Sequence, residues 1–121
     1  KVVVDELKKA YTNRGVKVQV WMDESQYKSS FSHSGDRIKS LAATIKELKL
    51  CKPPDGLLHH KVIIIDDHTI IIGSMNFSNA AVESNDENFI LIRNAGNLIQ
   101  EFKKDIARIE QYSDYLPGMA P

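Results

Sequence analysis

The stretch LLHHKVIIIDDHTIIIGSMN, residues 57–76, decides the fold. Its apolar residues fall into two blocks, Val62 to Ile65 and Ile70 to Ile72, separated by Asp66, Asp67 and His68. Both blocks are β-branched, and two such runs around a polar turn spell an antiparallel hairpin. The reading is a strand from Leu57 to Asp66, a tight turn at Asp67-His68, and a partner strand from Thr69 to Ser74.

The flanks alternate helices and strands. Val3, Leu7, Ala10 and Tyr11 are spaced for a helix that Asn13-Arg14-Gly15 ends. Val16 to Asp23 alternates strictly and predicts a strand, and the Ser-rich residues 24–35 read as a long loop. Asp36 is placed to cap a helix whose stripe is Ile38, Leu41, Ile45 and Leu48. Lys49 to Lys52 is a short strand stopped by Pro53-Pro54 and Asp55-Gly56. Beyond the hairpin come a helical turn at Ser78–Glu83 and a strand at Asn88–Arg93. A closing helix follows, with Asn97 and Gln100 as a capping box. Residues 113–121 read as a flexible tail. The class is α/β: one domain over 1–121, with a mixed sheet of five or six strands flanked by helices.

Composition excludes more than it assigns. The 121 residues carry one cysteine, which excludes an internal disulfide framework and a cysteine-based zinc site. No apolar run among them is longer than that of Val62 to Ile65, far short of the roughly 20 residues of a membrane span. No signal peptide is visible either, which favours a cytoplasmic location. The net charge of zero hides an asymmetry. Residues 1–61 hold 12 Lys+Arg against 7 Asp+Glu, and residues 62–121 hold 4 against 9. A local basic patch could form from Lys8, Lys9, Arg14, Lys17, Lys46, Lys49 and Lys52, but on charge alone the favoured reading is solvated faces of helices and strand ends.

The hairpin carries groups that a packed core has no use for. Side chains alternate along a strand, so His59 and Lys61 share one face while His60 joins Val62 and Ile64 on the other. Ser74 and Asn76 again share parity, which would gather an imidazole, an ammonium, a hydroxyl and an amide at one edge. Each would cost free energy if buried alone. The chemistry that uses this set is attack on a phosphodiester. Imidazole nitrogen is a competent nucleophile near neutral pH, and ammonium and amide donors suit the phosphoryl oxygens. A second, protonated histidine would be needed for the leaving oxygen. A metal cluster of His59, His60, Asp66, Asp67 and His68 is disfavoured, since adjacent strand residues face opposite ways. His33, in the loop, and Trp21, opposite the Val16–Met22 stripe, read as solvated and packed side chains respectively.

His59-x-Lys61, four residues, Asp66, six residues, then Gly73-Ser74-x-Asn76 resembles the signature of the phospholipase D superfamily. Asp86-Glu87-Asn88 is similar to the Glu-Asn pair that follows there, and Leu7 to Asp23 resembles its helix, Arg-Gly-Val, strand segment. The resemblance is specific over residues 57–93 and weaker over 1–56; the strand that usually precedes the first helix is missing, which suggests a truncated domain or one half of a two-motif enzyme. It implies a metal-independent hydrolase without cofactor. His59 would form a phosphohistidine, Lys61 and Asn76 would hold the phosphoryl oxygens with Ser74 in support, and Glu87 would fix a histidine tautomer. Asp66 belongs to the motif but is placed to secure the hairpin. One motif in a mechanism that wants two histidines implies a homodimer or a second motif-bearing half. The favoured activity is an endonuclease on DNA or RNA. A lipid phosphodiesterase of phospholipase D or cardiolipin type is the alternative, and a non-catalytic nucleic-acid-binding module the second.

Overall fold

The computed structural model describes residues 2–29, 31–74 and 86–121, with only the backbone of 31–34. In chain order the elements are α1 (Val2–Arg14), β1 (Val20–Asp23), α2 (Glu24–Ser29), α3 (Phe31–Ile45) and β2 (Leu48–Cys51). Then come β3 (Val62–Ile65), β4 (Thr69–Gly73), β5 (Phe89–Ile92), α4 (Gly96–Glu110) and β6 (Ser113–Tyr115). The α/β class holds, but the strands form two three-stranded sheets, β1-β2-β6 and β3-β4-β5, where one sheet of five or six was expected. Residues 52–61 interrupt the ladder with Pro53, Pro54 and a left-handed Gly56.

The chain divides into two compact units. The first, residues 1–58 and 109–121, holds a mixed sheet in which β1 runs parallel to β2 and β6 antiparallel to it. Gly15, at φ 64°, ends α1 and turns the Val16 N–H back onto the Ala10 carbonyl. Ile38, Leu41, Ala42 and Ile45 form the stripe of α3 that packs with Val18, Tyr27, Leu48, Leu50 and Leu116, and Val4 and Leu7 of α1 join them. Three expectations change here. Residues 16–19 alternate as a strand should, yet β1 starts at Val20, because β2 offers partners only from Leu48 on. The expected loop 24–35 holds α2 and the start of α3, so Asp36 lies inside a helix instead of capping it. Residues 113–121 are not a loose tail at their start: β6 pairs with β2 and Leu116 is 2% exposed.

The second unit, residues 59–108, holds the hairpin. Val62↔Ile72 through Ile65↔Thr69 pair antiparallel, and β5 extends the sheet with Gly73↔Phe89. The turn falls on Asp66-Asp67, one residue before the expected Asp67-His68: both aspartates take positive φ and His68 N–H bonds the Ile65 carbonyl, as in a type I′ turn that matches strand twist, so β3 ends at Ile65 and not at Asp66. α4 covers one face: Ile99 and Ile70 are fully buried together, with Val62, Ile64, Ile72, Ile92 and Phe102 around them. The helix starts at Gly96, one residue before the expected Asn97 cap, because the buried Ala95 donates its N–H to the His68 carbonyl and accepts from Ile99. Strand β3 is shorter than expected, with Leu57–Lys61 outside the ladder. The helical turn expected at Ser78–Glu83 lies outside the described residues.

Candidate active site

The ends of β3 and β4 opposite the turn carry the motif residues. Continuing the register one step past Val62↔Ile72 sets Lys61 against Gly73, and Ser74 then leaves the ladder as a bend. Strand parity therefore sets Ser74 level with His60 and not with Lys61, contrary to the expected gathering on one face. The Lys61 ammonium, half-buried, donates to the carbonyl of exposed His59 at 2.9 Å. Ser74 Oγ donates to Glu87 Oε2 at 2.5 Å and accepts the Asn88 N–H at 3.3 Å, while its own N–H reaches the Asn88 carbonyl at 3.1 Å. Ser74 is not the only contact of Glu87.

Lys61 thus meets only the backbone of His59, and Glu87, expected on a histidine, instead accepts from Ser74. Asn76 lies outside the described residues. Asp66 is not with them. It occupies the first left-handed position of the turn, the length of β3 away from Lys61, roughly 15 Å at about 3.3 Å per residue. A carboxylate-bearing short side chain tolerates that backbone conformation, which is what places an aspartate there. Its neighbour Asp67 holds Lys103 of α4 at 2.7 Å. Gly73 has its own reason: a Cβ there would collide with the Asn88 carbonyl and sit 2.7 Å from the Phe89 Cα. No group of three His, Cys, Asp or Glu side chains that could hold a metal ion occurs among the described residues.

Sequence reasoning missed Asp23. It is 3% exposed, and its carboxylate accepts from Ser25 Oγ at 2.5 Å, Gln26 N–H at 3.0 Å and Leu58 N–H at 2.9 Å. It caps α2 and holds the backbone of the residue just ahead of His59. An Asp before Glu-Ser-Gln was a legible cap signal, hidden by reading the following residues as loop. Burial alone would raise its pKa, but the Ser25 hydroxyl and the Gln26, Leu58 and Ser25 N–H groups hold it below the usual carboxylate range. A depressed folded pKa gives stability that is present above the ordinary carboxylate value and lost as pH falls through the folded one. Asp23→Ala should therefore cost about 1–3 kcal/mol at pH 7. The gap in thermal midpoint from wild type should shrink below about pH 4, and a gap unchanged at pH 3 would refute the assignment.

The match to known proteins runs nearly the whole chain. The family model described as "Cardiolipin synthase, PLD-like domain" matches residues 1–110. The chain belongs to the phospholipase D superfamily. Phospholipase D of Rickettsia bellii is 42% identical over 82 residues, 68% of this chain and 38% of that protein. Human mitochondrial cardiolipin hydrolase is 32% identical over 101 residues, 83% of this chain and 38% of that protein. The crystal structure of a phospholipase D family member, Nuc from Salmonella typhimurium, matches with TM-score 0.74 at 26% identity, covering 94% of this chain and 72% of that one. The chain thus spans well under half the length of these curated relatives.

Proposed function

We propose that this chain is a phosphodiesterase that works through His59, with nucleic acid as its substrate. The observation that carries the reading is the motif as built: His59 and Lys61 adjoin at the start of β3, and Ser74 is held on Glu87 at the end of β4. In the proposed first step a His59 nitrogen attacks phosphorus, and the bond from phosphorus to the leaving oxygen breaks. A second, protonated imidazole gives that oxygen its proton; water then cleaves the phosphorus–nitrogen bond. Lys61, Ser74 and Asn76 stabilise the phosphoryl oxygens, so the step calls for no metal. The second imidazole comes from another copy of the chain or from a second motif-bearing half. A module that only binds nucleic acid would not need every motif residue, and all are retained.

Charge supports a polymeric polyanion, though less broadly than composition suggests. Lys8 donates to Ser40, Lys9 pairs with Glu6, and the Glu110 carboxylate holds Lys49 and raises its pKa. Lys17 and Lys46, without a side-chain partner among the described residues, line an open groove of about 520 Å³ together with Tyr11 and Glu47. The groove lies in the first unit, where β1 and β2 begin. Lysines for phosphates beside a partly exposed tyrosine ring suit a single strand. Lys17→Glu with Lys46→Glu should weaken single-stranded DNA binding about tenfold and lower the salt slope by about two. Turnover of a small aryl phosphodiester should not change. Equal DNA affinity in the double variant would remove the groove from the reading.

Lipid phosphodiesters are the second reading, favoured by relatives named phospholipase D and cardiolipin hydrolase. No helix among the described residues is long and apolar enough to cross a membrane. Single-stranded DNA, phosphatidylcholine vesicles and cardiolipin vesicles, each assayed in excess EDTA, separate the two. DNA cleavage that survives EDTA is the expected result. Cleavage of cardiolipin alone would establish the lipid reading, and loss of all turnover restored by a divalent ion would end the histidine-nucleophile account.

A further inference from the structure

The residue between the two motif side chains has a partner of its own. His60 Nε2 lies 3.3 Å from Asp105 Oδ2 on α4, and the other oxygen of Asp105 accepts from Arg108 Nε at 2.8 Å. The His60 and Asp105 side chains are 43% and 32% exposed, so neither is forced into the contact by burial. The contact matters because of where the ladder stops. β3 and β4 pair from Ile65↔Thr69 to Val62↔Ile72, and His59–Lys61 lie beyond that last pair.

α4 is a firm place to anchor them. It begins at the hairpin tip, where Ala95 N–H bonds the His68 carbonyl, and Lys103 holds Asp67 there. Ile99 is fully buried against Ile70. Asp105 comes ten residues after Ala95, about 15 Å along the axis at 1.5 Å per residue. That distance brings it level with the other end of β3.

We infer that His60 and Asp105 are a positioning pair for the nucleophile, an inference that rests on the reading of His59 above. Alternation does the positioning. Val62 and Ile64 face α4, and holding His60 on the same helix turns His59 and Lys61 to the opposite face, side by side. A slip of one residue in this unpaired stretch would exchange the faces, and the contact to Asp105 opposes it. His60 itself does not touch substrate; it acts through His59.

The test uses the full chain with two readouts: amide hydrogen exchange at residues 59–61, and kcat and KM on the substrate that the assays above identify. His60→Ala and Asp105→Ala should each speed exchange at these amides about tenfold. Each should lower kcat about ten- to a hundredfold with KM little changed, and the double variant should be no worse than either single one. His60→Lys puts a cationic nitrogen within reach of Asp105 and should restore both protection and turnover. Exchange at 59–61 unchanged in Asp105→Ala would overturn the inference, as would additive losses in the double variant. His60→Lys that regains protection but not turnover would make the imidazole itself reactive and overturn the positioning role. A wild-type chain that turns over no phosphodiester, while the exchange effects appear, would count against the phosphodiesterase reading and leave the anchor standing.

Discussion

His59→Ala is expected to reduce phosphodiester turnover by about four orders of magnitude and to abolish acid-labile phosphate on the protein. No other group offers a nucleophilic nitrogen at the start of β3. Lys61 is engaged with the His59 carbonyl, and His60 points to Asp105. Label trapped on Ser74, or a variant that stays active, would refute the assignment. The same variant tests whether the site is shared. If wild-type and His59→Ala chains are refolded together at equal amounts, random pairing leaves both histidines intact in about a quarter of the dimers. Activity near a quarter of the full value is expected, with subunit exchange verified by mass. Activity near a half would mean that each chain works alone and that another of its histidines completes the chemistry.

Gly73→Ala should have the next largest effect. The added methyl would meet the carbonyl of Asn88 and the Cα of Phe89, both backbone, so no side chain can rotate away to make room. β5 has to move off β4 instead, at a cost of about 1–3 kcal/mol. The displacement falls on the residues that hold Ser74, because Asn88 both accepts from the Ser74 N–H and donates to its hydroxyl. Turnover should therefore drop well beyond the loss of folded protein, as read by comparing urea unfolding with kcat on the folded fraction. A variant with wild-type stability would show that the sheet accommodates the methyl group. Wild-type kcat on its folded fraction would show that the Ser74 contacts do not depend on this strand spacing.

The hairpin was legible because everything that specifies it is local. Val62–Ile65 and Ile70–Ile72 are β-branched, the polar Asp66-Asp67-His68 between them marks a turn to within one residue, and the motif spacing sets its residues at the strand ends. The stripes of α3 and α4 were legible for the same reason, since a helix face repeats within a few residues. Asp36 and Asn97 misled because a capping residue is common in sequence, while the true start depends on what the preceding backbone can bond. At α4 that bond is Ala95 to His68.

Sequence by itself determined the α/β class, the hairpin and the set of groups at its ends. Only the tertiary structure decided what holds those groups. Asp23 reaches Leu58 across 35 residues, and Lys49 is taken out of the basic patch by Glu110, 61 residues on. Ser113-Asp114-Tyr115 has no strand pattern of its own and becomes β6 because β2 presents an open edge to it. Strand ends likewise depend on a partner: residues 57–61 could extend β3 by their composition, but the ladder stops at Val62. The face of His60 followed from strand alternation, but its partner Asp105 did not, since that is set by the docking of α4. Ladder bonds, caps and ion pairs of this kind join residues that are distant in the chain, and a local pattern of side chains carries no record of which distant group will meet it.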